Sequence, residues 1–215
     1  MILIIGCSFS SGWFSYKNET ETLHTDYCWH DEIVTPHEVY CHPGGGLMAY
    51  GQCLETINLK GYTSILIQET FSPRIVIQKQ LEYQQLRVGV HQWNIDNYFN
   101  NNIHVWNNVQ NKLEQYFDFE WQNGMNTWFN AVNKLDGWQY LNRASASHLD
   151  LLASQTGLPT YSFSLTGVKY PYKYIKYLNV NPENLFYKLD LHNPDIHFTH
   201  KGNTVLGQMI KNELP

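Results

Sequence analysis

Ile2-Leu3-Ile4-Ile5-Gly6-Cys7-Ser8-Phe9-Ser10 is the stretch that decides the fold. A short apolar run rich in β-branched residues and ended by glycine predicts a central parallel strand covered on both faces. The small-residue turn that follows runs on to Gly12 and is expected to open a helix. A nucleophile at Ser8 would be projected from the strand end, beside backbone N–H groups that stabilise developing negative charge. Serine beside glycine is also common in strand-to-helix turns, where it merely caps the helix. The motif by itself leaves both readings open.

Reading outward, the same grammar recurs. Residues 38–41 are extended and end at Pro43-Gly44-Gly45-Gly46, after which 47–59 has helical spacing. Residues 64–68 form a third strand, which runs into Glu69-Thr70-Phe71-Ser72-Pro73-Arg74. An amphipathic helix is predicted at 142–156, strands at 160–163 and near 185–189, and a closing helix at 199–211; the tyrosine-rich 170–177 has no decisive period. Alternating strands and helices predict an α/β fold of three layers, α/β/α and flavodoxin-like, on a mainly parallel five-stranded sheet. Ligands of such sheets sit beyond the carboxyl ends of the strands, where the loops after the first three strands would meet. Residues 75–137 are rich in Asn, Gln and aromatics, with helical spacing at 105–119 and 128–135. They are read as a helical insertion or lid within a single domain spanning 1–215.

Composition removes several functions. The 215 residues carry 14 Lys and Arg and a net charge of −5, against the clustered cations that nucleic acid requires. No apolar run approaches the roughly 20 residues of a membrane span. Cys7, Cys28, Cys41 and Cys53 lack the spacing of a zinc module and are read as reduced, mostly buried thiols; no cofactor or metal is expected. Ile4-Ile5-Gly6-Cys7 imitates a lipoprotein cleavage site but lacks a basic segment and a long apolar run before it. With no signal peptide or spanning segment, a cytoplasmic or virion-associated location is expected.

Asp195-Ile196-His197-Phe198-Thr199-His200-Lys201-Gly202 lies at the other end of the chain. An Asp two residues before a His can orient the imidazole, and the predicted helix behind it anchors the loop. With Ser8 this supplies a nucleophile, a base and an orienting carboxylate, the logic of serine hydrolysis. Asp190-x-His192 repeats the spacing without a glycine at the matching distance. Cys7 is a rival nucleophile, His200 a neighbouring polar group or helix cap, and Glu69 a candidate acid.

Together the two ends resemble the SGNH (GDSL-type) hydrolases, whose nucleophile lies in a Gly-Asp-Ser-x-Ser motif after the first strand. Here that motif reads Gly6-Cys7-Ser8-Phe9-Ser10, and Asp195-x-His197 stands where the family has Asp-x-x-His, with Gly202 at the usual distance after it. The resemblance implies a triad of Ser8, His197 and Asp195. It implies an oxyanion hole from the Ser8 N–H and from Gly44 or Gly45. The family's Gly-x-Asn-Asp turn is replaced by Gln68-Glu69-Thr70, where Gln68 or Thr70 would donate instead.

The expected activity is hydrolysis of a carboxylic ester, with an O-acetylated glycan favoured because aromatics in 75–137 could stack on sugar rings. Arg74 is a candidate for binding an anionic substrate. One alternative is an inactive member of the same fold, such as a phage virion component that contacts surface glycans. Another is a flavodoxin-like binder using the turn at 6–12 for phosphate, which would leave Asp195 and His197 without a role.

Overall fold

The computed structural model describes residues 1–10, 15–16, 24–25, 27–41, 46–69, 74–80, 85–91, 137–180 and 198–215. In chain order its elements are β1 (Ile2–Gly6), β2 (Ser15–Tyr16), β3 (His24–Thr25), β4 (His37–Cys41), α1 (Leu47–Thr56), β5 (Ser64–Glu69), β6 (Arg74–Gln80) and β7 (Gln85–His91). They continue with α2 (Gly137–Thr156), β8 (Thr160–Ser164), β9 (Lys176–Tyr177) and α3 (His200–Glu213). Single 3-10 turns occupy Ser8–Ser10 and Trp29–Glu32.

β1 is buried along its whole length, as an uninterrupted apolar run demands. It pairs in parallel with β4 on one side, Ile5 opposite Tyr40, and with β5 on the other, Ile5 opposite Ile67. β8 and β9 extend the sheet in parallel, giving the order β4-β1-β5-β8-β9. The chain leaves β1 toward one edge and later returns to the other side of it. Such a reversal opens a crevice between the carboxyl ends of β1 and β5.

The two-residue period of the strands divides the core into two layers. Ile2, Ile4, Leu66 and Phe163 face Trp29, Leu206 and Ile210, from the 3-10 turn and α3. Leu3, Ile5, Ile65 and Ile67 face Leu47, Tyr50, Leu149 and Ala153, from α1 and α2. Each helix buries a stripe at i, i+3, i+4 and i+7: Leu47, Tyr50, Gly51 and Leu54 in α1; Ala146, Leu149, Asp150 and Ala153 in α2; Asn203, Leu206, Gly207 and Ile210 in α3. The result is the expected three-layer α/β/α arrangement.

Two local expectations come out differently. The insertion begins as an antiparallel hairpin, β6 paired with β7, rather than as helix. Gln85-Leu-Arg-Val-Gly-Val-His alternates strictly, which is a strand period; the helical spacing seen farther on, at 105–119 and 128–135, lies outside the described residues. The fifth strand of the sheet is β9, inside the tyrosine-rich segment; the stretch 185–189 lies outside the described residues. Asp150 makes β9 possible. Its carboxylate accepts the backbone N–H groups of Lys173, Tyr174 and Ile175, each at 2.9 Å, and so folds that segment back onto the sheet edge. No described helix is long and apolar enough to cross a membrane.

Candidate functional site

The turn after β1 is built around one buried amide. Strand alternation sends Gln68 to the face shared by Leu66, where it is wholly buried against 7–10. Its Oε1 accepts from the Cys7 backbone N–H at 3.3 Å and from the Ser10 hydroxyl at 2.9 Å. A backbone N–H can only donate, which fixes the oxygen of the amide on this side. Nε2 in turn donates to the Glu69 carbonyl at 3.0 Å and lies 3.4 Å from Cys7 Sγ. Gln68 therefore spends its amide hydrogens inside the protein. The expected side-chain donation from Gln68 to an oxyanion is not what this arrangement provides; it braces the turn.

Other groups complete the clamp. Trp29 Nε1 donates to Ser10 Oγ at 3.2 Å, Cys28 Sγ to the Phe9 carbonyl at 3.2 Å, and Cys41 Sγ to the Ser10 carbonyl at 2.8 Å. Gly6 is required here, because a Cβ would overlap Ser10 and crowd Gln68 Oε1. Within 7–10, Cys7, Phe9 and Ser10 are buried and Ser8 is half-buried. Among the described residues the helical part of this turn is the single 3-10 turn Ser8–Ser10. Cys7 is wholly buried and packed into the core, which removes it as an exposed nucleophile. All four cysteines are free thiols, and burial raises Cys28 and Cys41, the latter to about 12.

The C-terminal segment meets this turn. Phe198, which follows His197 in sequence, is buried, and its ring stands edge to face with Phe9 at 5.6 Å between centroids and 73° between planes. Thr199 caps α3, its hydroxyl accepting from the Gly202 N–H at 3.1 Å. His200 is not the cap; it stacks on Tyr27 at 4.0 Å. Asp195 and His197 lie outside the described residues, as do Gly44, Gly45, Thr70, Asp190 and His192. Arg74 opens β6.

Sequence reasoning missed a second polar centre one strand away. Glu69 alternates to the opposite face, toward α2, and the residue is only 2% exposed. Ser162 Oγ donates to it at 2.6 Å and the Tyr177 hydroxyl at 3.0 Å. Burial raises its pKa to about 7, against the opposing pull of these donors. Burial and the neighbouring Glu69 carboxylate push Tyr172 and Tyr177 up, so both hydroxyls stay protonated. A cavity of about 730 Å³ opens beside Glu69, walled by Asn142, Arg143, Lys169, Tyr170 and Tyr172. Glu69 and the tyrosine run were visible separately in the sequence. Their meeting depends on β5 lying beside β8 and β9, which no local pattern encodes.

No family model, no curated protein and no solved structure matches the chain.

Proposed function

We propose that the protein is a serine esterase of the SGNH type, with Ser8 as nucleophile, His197 as general base and Asp195 as the carboxylate that orients it. The carrying observation is the contact between Phe9 and Phe198, which joins the immediate sequence neighbours of Ser8 and His197 in one buried cluster. In this reading Ser8 Oγ attacks the ester carbonyl while His197 takes its proton. Asp195 holds the imidazole tautomer and stabilises the imidazolium. The tetrahedral oxyanion is held by the Ser8 N–H with Gly44 or Gly45, and Thr70 is the side-chain donor that remains. Protonated by His197, the alcohol leaves; water activated by the same imidazole then hydrolyses the acyl-enzyme. The favoured substrate is an O-acetyl ester on carbohydrate.

Hydrolysis of p-nitrophenyl acetate by the full chain, by Ser8→Ala and by His197→Ala tests this. Either substitution should remove roughly a thousandfold or more of the rate. Equal rates for all three proteins would overturn the assignment.

One observation favours a second reading. With Gln68 committed to the turn, one of the two expected side-chain donors is lost and the oxyanion hole depends on Thr70; a missing donor costs about 100- to 1000-fold in rate. A catalytically weak glycan-binding module of the same fold, for instance in a virion, would give the equal rates just described.

A further inference from the structure

We infer that the cavity beside Glu69 is a saccharide site, in which the Glu69 carboxyl and the Tyr172 hydroxyl bind sugar hydroxyls. The inference deepens the esterase reading and rests on it only for the ester that the sugar would carry.

The first support is an unfilled bonding capacity. The Tyr172 hydroxyl is buried beside Glu69 and Tyr177, and its contacts with them fall short of full hydrogen-bond geometry. A buried polar atom held this loosely has capacity for a better partner, because its desolvation is only partly compensated. Glu69 is almost wholly buried, and Ser162 and Tyr177 hold it in one orientation. A carboxyl held rigidly at a cavity wall, with oxygen lone pairs to spare, is an acceptor for hydroxyl groups that alternate donor and acceptor. A sugar ring presents such hydroxyls in adjacent pairs.

The second support is the shape and chemistry of the walls. Tyr172 stacks on Tyr177 at 5.3 Å and 23°, and Tyr170 leans on Tyr172 at 6.0 Å. Tyr170 and Tyr172 line the cavity with aromatic surface, while Asn142, Arg143 and Ser147 line it from α2. Volume, aromatic faces and a few fixed polar groups are the ordinary features of a small-molecule site. An apolar ligand would leave Glu69 and Tyr172 unmatched. Asp150 does not compete, since its carboxylate is occupied by three backbone N–H groups.

Calorimetric titration of full-length Ser8→Ala protein, which retains the cavity but cannot turn over an ester by this mechanism, provides the test. The probes are cellotriose, xylotriose, N,N′,N″-triacetylchitotriose and trigalacturonate, the last reading Arg143 and Lys169. At least one should bind with a Kd below about 10 mM. Tyr172→Phe, which removes one oxygen, should weaken that binding by about threefold or more, and Glu69→Gln by about tenfold. Tyr174→Phe, an exposed ring outside the cavity wall, should leave it unchanged. Binding without esterase activity in the native chain would uphold the site and sink the catalytic reading. Turnover of p-nitrophenyl acetate with no trisaccharide bound, or binding indifferent to Tyr172→Phe and Glu69→Gln in variants that melt like the parent, would overturn the site.

Discussion

Phe9 and Phe198 come from opposite ends of the chain and stand edge to face in the layer between the sheet and α3. Edge-to-face pairs contribute about 0.5–1.5 kcal/mol beyond the area they bury. Here the pair also sets the distance between two segments that carry the proposed nucleophile and base. Phe198→Ala should cost about 3–5 kcal/mol, as for other buried phenylalanines. Phe198→Leu should cost less and remain folded, yet lose esterase rate because the two segments are no longer held in register. Urea midpoints and p-nitrophenyl acetate rates on the folded variants give both numbers. A Leu variant with the native rate would show that the contact serves the core alone.

Gln68 separates bracing from catalysis. In Gln68→Leu the Cys7 N–H and the Ser10 hydroxyl lose their acceptor in a site with no access to water, at roughly 1–3 kcal/mol each. The expected outcome is a lowered urea midpoint, with any loss of rate recovered in part when the assay is moved to lower temperature. An oxyanion donor would behave in the opposite way: kcat would collapse while the midpoint stayed in place.

Much of the architecture was legible because periodicity is local. The run 2–5, the stripes of α1 and α3, and the small-residue turns each announce themselves within a dozen residues. The Ser8 turn was readable for the same reason, down to the burial of Cys7. The role of Gln68 was not, since it depends on which face of β5 meets the β1 turn. The partners of Glu69, itself named as a candidate acid, were hidden more deeply still, because Ser162 and Tyr177 reach it from strands that follow about a hundred residues later. The hairpin β6–β7 was legible in principle. Its alternation was outweighed by the helical spacing and aromatic content of the longer segment around it.

Glu69 should make the protein less stable as pH rises. Its carboxyl titrates at about 7 in the folded chain, against 4.5 for the free group, so the folded state holds the proton more tightly. Its contribution is fully present below about pH 4.5 and is lost as pH climbs through 7. The span corresponds to roughly 3 kcal/mol. His30 works in the other sense, since burial lowers it from 6.5, so the comparison must be made between variants at each pH. Glu69→Gln should gain on the native chain between pH 5 and pH 8 when urea midpoints are compared. Parallel pH profiles for the two proteins would show that the folded carboxyl titrates normally.

Gly207 tests how closely α3 must approach the sheet layer that holds Phe198. Gly→Ala inside a helix ordinarily stabilises by about 1 kcal/mol, because the backbone loses less freedom on folding. At Gly207 a Cβ would overlap the Trp29 carbonyl and the Glu32 side chain. The backbone carbonyl cannot step aside, so α3 must, and overpacking of this kind costs about 1–3 kcal/mol. Gly207→Ala should therefore lower Tm, reversing the usual sign. Because α3 begins at the Thr199 cap, next to Phe198, the displacement should also reduce p-nitrophenyl acetate turnover in molecules that remain folded. A variant that melts higher than the native protein would mean that α3 is free to pack farther from the 3-10 turn than the structure places it.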